Sequence, residues 1–122
     1  MLRANASRLM VYRVAFDLST EAAQLARTFH GPGRFDRADQ LVRAALSVPS
    51  NIAEACGRGT AGEFRQFLGY AMGSASELRT QLRHARLLDP ERAAAIRSLE
   101  NRVTLVLKML RRLSDNPPPQ AT

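Results

Sequence analysis

Only one cysteine occurs in the chain, so no disulfide can form within it and a reducing compartment is the simplest setting. Tryptophan is absent and aromatic residues make up 6% of the sequence. The two histidines, His30 and His84, have no Cys or acidic cluster at ligand spacing beside them, so neither a metal site nor a cofactor is expected. No apolar run approaches the roughly 18 residues that span a bilayer. The opening segment "MLRANASRLMVYRVAFD" lacks the unbroken apolar stretch of a secretion signal, so no membrane contact and a cytoplasmic location are expected. A length of 122 residues suits one domain and is too short for two.

What the chain has in quantity is alanine, 19 residues, and arginine, 17 residues against one lysine. Alanine is the best helix former and arginine a good one, so the composition points to an all-α protein. The net charge of +7 is carried almost wholly by guanidinium groups, whose planar fork matches phosphate. Nucleic acid or another polyanion is therefore the expected partner, although a GC-rich gene would also raise Arg and Ala together.

Apolar residues fall into four heptad-like series. The first is Val11, Ala15, Leu18, Ala22, Leu25 and Phe29; the second Leu41, Ala45, Val48, Ile52 and Cys56. The third is Phe64, Leu68, Ala71, Ala75, Leu78, Leu82 and Ala85; the fourth Ile96, Leu99, Val103, Val106, Leu110 and Leu113. "HGPGRFD" ends the first helix, and Gly57 and Gly59 close the second if they take the left-handed conformation. Thr60 and Glu63 have capping-box spacing, and Asp89-Pro90-Glu91 reads as a helix start. The predicted helices span about 8–29, 36–57, 61–87 and 90–114 of a single domain, 1–114, with a disordered Pro-rich tail at 115–122. Short connections favour an antiparallel up-and-down four-helix bundle.

The stretch "SVPSNIAEACGRG" interrupts the second series with Pro49. A break would restart the helix with Asn51 as cap. A continuous helix would instead be kinked, because Pro49 lacks a donor and crowds the carbonyl of Ala45. The apolar series keeps its phase across Pro49, which favours the kinked, continuous helix.

Residues 43–87, "RAALSVPSNIAEACGRGTAGEFRQFLGYAMGSASELRTQLRHARL", closely resemble the four-helix-bundle family of proteins encoded by intervening sequences in bacterial 23S ribosomal RNA genes. Pro49-Ser50-Asn51-Ile52-Ala53-Glu54 is the most specific match; Gly57-Arg58, Glu63-Phe64, Gly73-Ser74 and Glu77-Leu78 add to it. The likeness extends more loosely back to near Val11, about three-quarters of the chain in all. Ala55 stands where the family usually has glycine, and Arg79 where it often has an acid. The family is similar to the accessory variability proteins of diversity-generating retroelements, which bind nucleic acid and a reverse transcriptase as barrel-shaped pentamers. The resemblance therefore implies a homopentamer, with RNA or DNA and a reverse transcriptase as partners.

Candidate site residues fall into two sets. The nucleic-acid set is Arg79, Arg83 and Arg86 on helix three, with Arg97, Arg102, Lys108, Arg111 and Arg112 on helix four. Between residues 97 and 112 only Glu100 offsets five cations, and five copies of that face would make a ring of about 25. Arg34, Arg37 and Arg43 surround the start of helix two. With no aromatics interleaved among the basic clusters, binding should be electrostatic rather than base-stacking. The second set, Pro49, Ser50, Asn51, Glu54, Arg58, Gly69 and Gly73, suits a helix bend or a subunit interface. Glu54 and Arg58 have the spacing of a surface ion pair, and Cys56 lies on the apolar stripe as a core thiol. Gly69, Gly73 and Ser76 form a strip where a helix could approach closely, within the bundle or between subunits. No paired acid and base or nucleophile context appears, so no enzyme activity is expected.

Overall fold

The structure, a computed structural model, describes Ala6 and residues 9–117. It contains four α-helices, α1 Met10–Ala26, α2 Arg34–Cys56, α3 Ala61–Leu88 and α4 Ala93–Asp115, and no strand among the described residues. Neighbours in sequence pack on one another, and α4 closes the ring against α1 along the thinnest seam. The expected start at residue 8 and most of the expected tail, 118–122, lie outside the described residues.

All four apolar series point into one core. Leu25, Phe29 and Leu113 sit at its edge, half-buried. Phe64, Leu68, Leu78, Leu82 and Ile52 are fully enclosed, and alanines fill the space between them. Such small residues allow the helices to approach closely, and this burial is the main stabilising contribution.

Local chemistry sets the ends. Thr60 caps α3: its Oγ1 accepts from the Glu63 amide at 3.1 Å and donates to the Glu63 carboxylate at 3.1 Å. Gly33 caps α2 with φ 75°, a left-handed value that a side chain would resist. Gly57, by contrast, has φ −87° and not the expected left-handed geometry. Instead α2 ends in tightened i, i+3 bonds, from Gly57 N–H to Glu54 O and from Arg58 N–H to Ala55 O. The segment Pro90–Arg92 forms a 3-10 turn, so α4 begins at Ala93 rather than at residue 90. The Asp89 carboxylate pairs with Arg92 at 3.2 Å and does not cap the helix.

α2 runs without interruption through Pro49, which is buried. Short polar side chains attend the flanking carbonyls: Ser50 Oγ donates to Leu46 O (2.9 Å) and Asn51 Nδ2 to Ser47 O (2.8 Å). The carbonyl freed by Pro49 is that of Ala45, one residue before the Leu46 carbonyl that Ser50 engages.

Candidate nucleic-acid interface

Two helices supply the basic surface. Along the outer seam of α3 and α4, Arg79, Lys108, Arg111 and Arg112 line an open groove of about 590 Å³, together with Ser76, Thr104 and Leu107. Asp115 is the acid at its rim. None of those four cations makes an ion pair among the described residues, nor do Arg83 and Arg97 on the same helices. Arg112 also lies in the last turn of α4, where a cation complements the helix dipole.

The other two expected contacts have internal partners. Arg86 donates two hydrogen bonds to Glu100, Nε to Oε2 at 2.7 Å and Nη2 to Oε1 at 3.3 Å. This fork joins the end of α3 to α4, and the hydrogen bond to Glu100 holds the Arg86 guanidinium above its ordinary pKa. It also engages the one acid between residues 97 and 112. Arg102 pairs with Glu21 and ties α4 to α1 across the thin seam.

The hydrogen bond from Arg102 lowers the Glu21 pKa below the usual 4.5. A carboxylate with a depressed folded pKa stabilises above its unfolded pKa, and that contribution is lost as pH falls through the folded value. Wild type should therefore melt above Glu21→Gln by a constant margin at neutral pH. The margin should close as pH drops below 4.5, in thermal melts followed by circular dichroism. A margin unchanged down to strongly acid pH would count against the pair.

The residues expected at a bend or interface occupy three places, the first being Pro49, Ser50 and Asn51 within α2. At the α2–α3 corner, Arg58 pairs with Glu54 at 2.6 Å and stacks 4.3 Å above the Phe67 ring. Cys56 is buried, and desolvation pushes its thiol pKa up, which keeps it protonated. On the outer face of α3, a Cβ added at Gly69 or Gly73 would meet nothing within 4 Å beyond the adjoining backbone of its own helix. Among the described residues no other helix packs there, so close packing within the bundle does not account for these glycines. His30 and His84 are both exposed. Among the described residues, no three His, Cys, Asp or Glu side chains could share a metal ion, and no helix is long and apolar enough to cross a membrane.

One arrangement departs from the expected absence of aromatics near the basic clusters. At the α1–α2 turn the Arg34 guanidinium lies 4.6 Å from the Phe35 ring centroid, and that of Arg37 lies 5.0 Å from Phe29. The signal was present in "RTFHGPGRFDR", but periodicity assigns Phe29 to the core stripe and is silent on Phe35. Arg43, the third cation expected here, pairs with Asp39 at 3.0 Å.

The model of one protein family, described as 23S rRNA-intervening sequence protein, matches residues 7–112. The chain belongs to that family. The match takes in the Pro49 segment and α4 as far as Arg112, so the four groove cations lie inside the family domain. No curated relative matches the chain of this intervening-sequence family member.

Proposed function

We propose that this protein is a non-enzymatic, homo-oligomeric nucleic-acid-binding protein whose α3–α4 groove holds the phosphate backbone of structured RNA or DNA. The observation that carries this reading is the gathering of Arg79, Lys108, Arg111 and Arg112 in one groove without ion-pair partners. Mutual repulsion among them is relieved when phosphate enters, and each contact releases counterions. The family description, an rRNA intervening-sequence protein, favours RNA. The protein would serve as an accessory to such a sequence or to a reverse transcriptase. Fluorescence anisotropy with a structured RNA at two salt concentrations tests the reading: affinity should fall steeply with salt, and no binding at low salt would end it.

The bundle itself we read as antiparallel and up-and-down. Arg65 near the start of α3 donates to the Ser114 carbonyl near the end of α4 at 3.1 Å, while Arg86 near the end of α3 meets Glu100. Both contacts favour opposed helix directions. A bend in α2 at Pro49 follows from the missing amide.

Self-assembly, as the homopentamer implied by the family resemblance, has support in the vacant face of α3. Glycine in a helix costs up to about 1 kcal/mol against alanine. Gly73→Ala should thus stabilise the isolated chain by that amount, whereas Gly73→Trp should break the oligomer in light scattering. An unchanged oligomer for the Gly73→Trp variant would remove this face from the interface. A rival reading, a homo-oligomeric scaffold for a protein partner without nucleic acid, draws on exposed Phe16, Leu46 and Leu105. Pull-down of protein free of nucleic acid would favour it.

A further inference from the structure

We infer that the α1–α2 turn is a second nucleic-acid site, one that stacks unpaired bases rather than gripping backbone. The inference rests on the nucleic-acid reading above and adds a different recognition chemistry to it. Phe35 is 76% exposed, in the first turn of α2, in a chain with few aromatics. So little of its ring is buried that the fold gains almost nothing from it. Arg34 already lies against that ring, the geometry in which an aromatic face accepts a flat, electron-poor partner. The second pair is held more firmly: Arg37 lies over Phe29 while its Nη2 donates to the His30 carbonyl at 2.9 Å.

The turn between the two pairs is tight because Gly31 and Gly33 take φ of 84° and 75°. It brings both rings to the walls of an open groove of about 480 Å³, whose sides are small or aliphatic, Ala23, Ala38 and Val42. Arg27 and Arg34 line it as well. Its one lining acid, Asp39, is paired with Arg43, which leaves Asp36 as the nearby carboxylate without an ion pair among the described residues. Two lining arginines, with Arg37 behind Phe29, against one such acid match a polyanion. The interleaved rings match its bases, and a hydrophobic groove with cationic walls is how single strands are held without sequence preference. The α3–α4 groove has no aromatic residue in its lining, so the two surfaces should differ in what they bind.

The test uses the full chain, an unstructured RNA strand of about twelve nucleotides carrying a 2-aminopurine, and a duplex of the same length. Phe35→Ala should weaken the single strand about five- to 150-fold, the range for loss of one stacking contact, and abolish the change in 2-aminopurine emission. Duplex affinity should move by less than about twofold, since backbone contacts are elsewhere. Phe35→Trp should retain single-strand binding. Equal single-strand affinity for wild type and Phe35→Ala overturns the inference. So does a change of molecular mass in light scattering without a change in RNA binding, which would make Phe35 a subunit contact. If wild type binds duplex but not single strand, this site is lost and the backbone reading stands; if it binds neither, both fall.

Discussion

Reversing two charges in the α3–α4 groove, with Lys108→Glu and Arg111→Glu together, should reduce duplex RNA affinity by on the order of 100-fold or more near physiological salt. The groove has four cations and one acid, so the double variant leaves two cations facing three carboxylates. Each phosphate contact contributes close to one unit to the slope of log K against log salt, so that slope should become shallower by about two. Both side chains are exposed and neither is in an ion pair among the described residues, so the fold should be little affected, within about 0.5 kcal/mol. Anisotropy titrations across a salt series, with a thermal melt as control, measure both quantities. Arg86→Gln provides the contrast. It removes a guanidinium already held by Glu100, so it should lower the melting temperature more than it lowers affinity. Undiminished binding by the double charge-reversal variant would place nucleic acid elsewhere on the protein.

Phe64→Ala should destabilise the fold by roughly 3–5 kcal/mol, a large share of the 5–15 kcal/mol typical of a whole domain. Phe64 heads the largest fully buried side chains, one turn into α3 and just after the Thr60 cap. The core it belongs to is rich in alanine, which already lets the helix backbones lie close. Those backbones cannot collapse far into the space a phenyl ring vacates, so most of the cavity would persist. Urea denaturation should show a large drop in midpoint with little change in slope, and Phe64→Leu should cost much less. A loss below about 1 kcal/mol for the alanine variant would mean that this end of the core is loosely packed.

Much of this architecture is legible before any coordinates. A helix buries the face its apolar spacing draws, so Leu41, Ala45, Val48, Ile52 and Cys56 could be placed on one stripe through Pro49. A local rule also reads the Thr60–Glu63 cap, because both partners lie within one turn. Local rules fail where two conformations are nearly equal in energy. Gly57 was free to turn left-handed and did not, and Asp89-Pro90 began a 3-10 turn where a helix start was expected.

Charge is where the two levels part. The sequence alone determined the net positive charge, the four buried stripes and the family membership, since these depend on composition and on the order of residues along the chain. It could not separate eight similar-looking cations. Tertiary structure did so, by bringing Glu100 to Arg86 and Glu21, from the far end of the chain, to Arg102, while Arg79, Lys108, Arg111 and Arg112 converged with no such partner. It also set Phe35 beside Arg34 on an exposed turn. The physical reason is that hydrogen-bonded ion pairs and stacking need contact within a few ångströms, and only the packing of the helices decides which side chains come within that range.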